Sequence, residues 1–437
     1  MNKRLLALLS LLVIASMALA ACGGGATEAP AATEEAPAAT EEAAATEEAA
    51  TGAFECTDAI GCVDIAPGEP IHIAYALTVS GATASLGEDS KGAIEIAIAD
   101  RAGEMLGHPI ELTGEDTLCN AEGGQAAGTK ISADATILGV VGTNCSSEAR
   151  AAMPLISQAG MVMISPSNTN PDLTDPSHPD HHAGYFRTAH NDLFQGRVAA
   201  EFAYNELGVR KAATIHDGSP YAESLQRVFA EVFAELGGEV TAQEAINVGD
   251  TDMKPVLTSI ASGAPEIIYF PIFEPEGNLI AAQSREVAGL ETVLLMGADG
   301  LFADTFPEAT GSAADGMYLS GPYVDVNDAA YGEFLAKWAD QIGGVPPSGF
   351  HAHAYDAANM LMNGIEAVAV VDADGTVHVG RQALRDYLYG LTDYDGLTGN
   401  LTCNENGDCA TGEALGVFKL SQAEVDGAWP PPVFWQP

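Results

Sequence analysis

Eight short apolar runs, set in two series with longer Ala-rich stretches between them, constrain this chain more than any other feature. The first series is IHIAYALT (71–78), PIELTGED (109–116), ILGVVGT (137–143) and MVMIS (161–165). The second is KAATIHD (211–217), EVTAQEAI (239–246), EIIYFPI (266–272) and TVLLMGA (292–298). Each run reads as a buried parallel strand, and the stretches between have helical length. Repeated strand–helix–strand units imply parallel sheets covered by helices on both faces. Two series in 437 residues predict an α/β protein of two doubly wound lobes rather than one oversized sheet. One segment is ambiguous. Ile94, Ile96 and Ile98 alternate as in a strand, while Ile94, Ala97 and Ile98 share a helical face. Its length and the following Gly103 decide for helix.

The chain ahead of these runs is of another kind. Lys3 and Arg4 precede an apolar run from Leu5 to Ala15, the pattern of a secretory leader. It ends in Leu19-Ala20-Ala21-Cys22, which resembles the lipobox of bacterial lipoproteins and predicts lipidation at Cys22. From Gly23 to about Glu55 the sequence is low complexity, with AATEEAP, AATEEAA and ATEEAA in near-register. It holds almost no large apolar residue, so ordering it would cost entropy that no burial offsets, and it reads as a solvated tether. The predicted division is a leader over 1–22, a tether over 23–68, one lobe from 69–190 and 323–392, and a second lobe from 191–322 and 393–437.

Against 17 Lys and Arg stand 61 Asp and Glu, of which only eight lie in the low-complexity stretch, so the folded body carries most of the excess. No cluster of basic residues is present to track a phosphate backbone, which excludes nucleic acid as a partner class. Anionic lipid would also repel the chain unless a covalent anchor holds it. With Cys22 assigned to the lipid, six cysteines remain, in the sequence-local pairs Cys56–Cys62, Cys119–Cys145 and Cys403–Cys409. Six cysteines admit many connectivities; an exported compartment favours disulfides, and the local pairing is the one expected. Zinc is the competing reading, but there is no CxxC and no histidine at ligand spacing beside any pair.

Catalytic signatures are missing: no GxSxG, P-loop, HExxH or GxGxxG occurs, so no enzyme, metal or cofactor is expected. His178, His181 and His182 sit in the Pro/Asp-rich stretch DPSHPDHHAG and read as a solvated loop. His351 and His353 read as packing or surface residues before an Ala-rich helix. Asn406-Gly407 between two cysteines reads as a tight turn pinned by a disulfide. Two loops look suited to a small zwitterion. Thr143-Asn144-Cys145-Ser146-Ser147-Glu148 follows a strand and opens a helix, where hydroxyls and free N–H groups favour an anion. Ser165-Pro166-Ser167-Asn168-Thr169-Asn170-Pro171 follows the next strand and offers a second polar loop at the same sheet edge, where open α/β sheets bind ligands.

From about Pro70 onward the chain resembles the leucine/isoleucine/valine-binding protein family of ABC importers, a type I periplasmic binding fold. The resemblance is carried by LTVSGATASLGEDSKGA, the Cys119 and Cys145 pair, CSSE, ISPSNTNPDLT, HDGSPYAES, IIYFPIFEPEG and LLMGADG, in family order. It implies two lobes joined by a multi-strand hinge. It also implies that Ser146 donates to a ligand carboxylate with backbone help from Ser167 and Thr169. Thr169 and the Ser167 carbonyl would face the ammonium, and Tyr221 would close over the ligand from the second lobe. Asp299 falls where the family places an ammonium-binding carboxylate, commonly Glu. Leu86 and Phe273 replace tyrosines, and Phe350 matches an aromatic lining the side-chain region. The implied protein captures a branched-chain or related amino acid and delivers it to permease and ATPase subunits. It would be exported and anchored by lipid to the outer face of the cell membrane or in the periplasm. The alternatives are a binding protein for another small solute (a short amide, urea or an aromatic acid) and a ligand-sensing receptor component.

Overall fold

All eight apolar runs form strands in the structure, a computed structural model that describes residues 54–410 and 414–437. The leader, Cys22 and residues 23–53 of the tether lie outside the described residues. The first series builds a six-stranded sheet, in spatial order Glu104–Met105, His108–Asp116, Ile71–Leu77, Gly139–Gly142, Val162–Ser165 and Tyr185–Arg187. Its neighbours run parallel except Glu104–Met105, which is antiparallel to His108–Asp116. Alternate residues of the central strands feed two cores. Ile73, Val141 and Ile164 pack beneath Leu361 and Ile365 of the helix His351–Val368. On the other face Ala74, Val140 and Met163 meet Ile131, Met153 and Ile156. This is why the runs read as continuously apolar. A fully buried side chain of this size contributes about 1.5–3 kcal/mol.

The second series builds a seven-stranded sheet, in spatial order Val433–Trp435, Leu415–Lys419, Tyr318–Pro322, Leu294–Gly297, Ile267–Tyr269, Lys211–His216 and Glu239–Ala245. Five neighbouring strands are parallel, and Leu415–Lys419 and Val433–Trp435 join antiparallel at one edge. The ambiguous isoleucine segment is the helix Ala84–Asp100, with Ile94 and Ile96 both fully buried because it is covered on more than one side. Two runs expected to be buried are not: only His108 is buried in His108–Asp116 and no residue is in Glu239–Ala245, next to and at a sheet edge respectively.

The expected boundaries shift in two places. Residues 54–68, assigned to the tether, belong to the body: Cys62–Ile65 pairs antiparallel with Val377–Gly380, and Val63 and Ile65 enter the first core. Residues 393–409, assigned to the second lobe, pack with the first, since Leu401, Cys403 and Cys409 share that same core. The chain therefore passes between sheets after Arg187, after Pro322 and ahead of Leu415. The sequence-local cysteine pairs are all disulfides: Cys56–Cys62, Cys119–Cys145 and Cys403–Cys409. Among the described residues no helix is long and apolar enough to cross a membrane.

Candidate ligand-binding site

Ligand loops need a rigid frame, and here the frame is the carboxyl ends of parallel strands. After Gly139–Gly142 the chain turns through Asn144 and Cys145 into the helix Ser146–Gln158. The buried Glu148 carboxylate holds this turn, accepting from the backbone N–H of Asn144 at 3.1 Å and of Cys145 at 2.8 Å. Thr78 Oγ1 donates to its other oxygen at 2.5 Å. Cys145 is tied to Cys119, so the loop is braced covalently next to Ser146. The Ser146 hydroxyl accepts from Asn170 N at 3.3 Å, which leaves its proton free to donate. Leu86 is brought to the same edge by a close approach of its helix. A Cβ on Gly87 would lie 1.9 Å from the Thr78 carbonyl oxygen, so only glycine allows it.

A small enclosed cleft lies between these loops and the second lobe. About 260 Å³ within it is free of atoms. Seven of the eight sequence-predicted residues line it: Leu86, Ser146, Ser167, Tyr221, Phe273, Asp299 and Phe350. Asn144, Cys145 and Gly300 complete the wall. Thr169 does not line it; the residue is fully buried behind, with its hydroxyl toward Asp192. Phe350 is aimed by Asp89, a fully buried carboxylate that accepts from the backbone N–H of Ser348 at 3.0 Å and of Phe350 at 2.9 Å.

Asp299 follows the strand Leu294–Gly297 of the second lobe. Its carboxylate caps no helix. Instead Oδ1 accepts from Gln195 Nε2 at 2.6 Å and from the Tyr221 hydroxyl at 3.0 Å. The Tyr221 oxygen in turn accepts from Gly300 N at 2.9 Å, and its ring packs on Phe273 with centroids 4.9 Å apart. Burial pushes the Asp299 carboxyl up to about 6, with the Gln195 and Tyr221 bonds opposing the rise. A second buried acid, Asp192, was not singled out from sequence. It opens the helix Asp192–Glu201, and burial pushes it up to about 8, with the Thr169 and Ser224 hydroxyls opposing the rise. Its backbone N–H donates to the Thr169 carbonyl at 2.9 Å, and the Asp299 charge raises it further. Hydrogen bonds also span the cleft: Asn170 Nδ2 donates to the Pro220 carbonyl at 2.7 Å, and Ser85 Oγ to Asp304 at 3.0 Å.

His351 Nδ1 lies 3.0 Å from Asp89 and Nε2 lies 2.6 Å from the Tyr331 hydroxyl, a packing role. Asp172, His178 and Asp180 draw together at the surface, but Arg150 pairs with both carboxylates.

The family described as periplasmic binding protein matches residues 70–422. A leucine-, isoleucine-, valine-, threonine- and alanine-binding protein of Pseudomonas aeruginosa is 29% identical over 350 residues, 78% of this chain and 87% of that one. A leucine-binding protein of Thermotoga maritima superposes with a TM-score of 0.72 at 25% identity, covering 80% of this chain and 95% of the other. An ABC-transporter solute-binding protein of R. palustris, solved with benzoate, shares the fold at TM-score 0.68 and 21% identity, covering 80% and 93%.

Proposed function

This chain belongs to the periplasmic binding protein family, and from that premise we propose that it is the extracytoplasmic substrate-binding protein of an ABC importer, capturing an amino acid between its lobes. The observation that carries the amino-acid reading is Asp299. It is a buried carboxylate in the cleft wall, with Oδ1 occupied by Gln195 and Tyr221 and Oδ2 taking neither bond. An ammonium leaving water costs several kcal/mol unless a charge receives it. Asp299 supplies that charge. The ligand carboxylate is met by the Ser146 hydroxyl and the first turn of its helix, where unpaired N–H groups favour an anion. Leu86, Phe273 and Phe350 supply the apolar wall for a branched or similar side chain.

Closure is stabilised only by what the ligand gains in the closed form over the open one. The closed form then docks on permease subunits, and a lipid on Cys22 keeps the protein beside them. A dissociation constant near a micromolar, about −8 kcal/mol, suffices for capture. An aromatic acid is the second reading, favoured by the fold shared with the benzoate-bound protein. It would set a carboxylate or an apolar ring near Asp299, with no cation to pair it. A thermal-shift screen of the amino acids, short amides and aromatic acids separates the two. Stabilisation by branched-chain amino acids is expected, and stabilisation by aromatic acids alone would overturn the reading.

A further inference from the structure

The turn closed by Cys403–Cys409 is joined to the ligand loop through one buried arginine. Arg187 ends the last strand of the first sheet, just before the chain crosses between lobes, and it is fully buried. All five of its N–H donors are used. Nε and Nη2 engage the two oxygens of Asp408, and Nη2 also donates to Thr174 Oγ1 at 2.7 Å. Nη1 donates to the carbonyls of Asn168 at 3.3 Å and Asn170 at 2.8 Å. Those carbonyls flank Thr169, and Asn170 itself reaches Ser146 and Pro220.

The backbone makes the same junction. Arg187 N donates to the Gly407 carbonyl at 3.0 Å, and Cys409 N donates to the Arg187 carbonyl at 3.1 Å. Contact is so close that a Cβ on Gly407 would lie 2.0 Å from the Tyr185 carbonyl oxygen, and φ there is +91°. Both cysteines are buried, with Asp408 held one residue ahead of Cys409. We propose that the turn 403–409 is a clip that positions the segment 168–170, which backs the cleft behind Ser146 and Ser167, with Asp408 a positioning residue acting through Arg187. Among the described residues Asp408 is the one carboxylate bonded to that guanidinium. Without it a buried cation is left unpaired and must move toward water, taking Nη1 away from both loop carbonyls. The inference rests on the proposed function for its effect on affinity, but not for its effect on the loop.

The test combines calorimetric titration with amide hydrogen exchange on the full exported chain. Asp408→Asn should weaken amino-acid binding about tenfold or more and speed exchange at the amides of Asn170 and Asp192. Strand Ile267–Tyr269 in the second lobe should keep its protection. Asp408→Glu, which keeps the charge, should recover most of the affinity, a rescue that a general loss of packing would not show. Should Asp408→Asn fail to fold, Cys403→Ser with Cys409→Ser loosens the turn while keeping the ion pair, and should speed exchange at the same two amides. Unchanged affinity and unchanged exchange in the folded variants would overturn the clip. If the parent chain binds no amino acid, the functional reading falls, and the exchange at Asn170 and Asp192 still decides the clip.

Discussion

Replacing Asp299 by asparagine should move affinity and stability in opposite directions. In the empty protein burial pushes the carboxyl up to about 6, against 3.8 for the free side chain. Between those values the folded protein holds a proton that the unfolded chain has released, so this group's contribution to stability falls as pH rises through the window. By pH 7 the ionised, buried group costs the empty protein about 3 kcal/mol relative to a solvated carboxylate. Asparagine carries no such cost, and its side-chain oxygen can still accept from Gln195 and Tyr221. The empty variant should therefore melt at a higher temperature than the parent at pH 7. Bound amino acid reverses the order. Stranding a buried ammonium costs about 3–5 kcal/mol, which is roughly a hundredfold or more in affinity. The parent should also lose affinity below about pH 6, where ligand must displace the Asp299 proton, by about tenfold per unit, and the variant should not. Scanning calorimetry of the empty proteins and titration between about pH 5 and 7.5 read both effects. A variant that melts lower and binds equally well would refute the ammonium role.

Asp192→Asn should also stabilise the empty protein. Because burial raises Asp192 to about 8, its contribution to stability falls as pH climbs from the ordinary carboxylate range toward that value, so the melting temperature should drop less in the variant than in the parent when pH is raised from about 6.5 to 8. Cys119→Ser with Cys145→Ser opens a loop of sequence separation 26 and should cost about 3 kcal/mol in denaturant unfolding. It should also weaken ligand binding, because Cys145 adjoins Ser146. Cys22→Ala should move the protein from the membrane fraction to the soluble fraction of its native host, and retention at the membrane would count against the anchor.

The strand runs were legible because burial on both faces leaves a continuous apolar signal, as Val140 and Val141 enter opposite cores. Leu415–Lys419 and Val433–Trp435 were not, since short antiparallel strands at a sheet edge need no such run. Val63 and Ile65 are only two apolar residues in CVDI, too weak a pattern to separate from the tether before it. In the cleft, the motifs supply Leu86, Ser146, Ser167, Tyr221, Phe273 and Asp299, while Thr169 of the same motifs sits behind the wall. Residues acting from ordinary positions were missed: Asp192 looks like a favourable first-turn acid behind the capping Asn191, whose side chain accepts from Leu193 N. Gln195 looks like a solvated helix residue, and Arg187 finds Asp408 only 221 positions away. No local pattern encodes such pairs; the topology brings them together.

The hydrogen bonds that span the cleft also set a clock. The cleft is small, about 260 Å³ free of atoms, and Asn170–Pro220 and Ser85–Asp304 hold the two walls together. A solute seated there leaves only after those bonds break, so its escape rate is capped by how often the walls part, whatever its own grip on Asp299. Capture runs through the same parted form, which makes association proportional to the fraction of time spent open. Solutes of very different affinity should then depart at rates compressed beneath one common ceiling, and changes at Asn170 or Ser85 should raise that ceiling for all of them together.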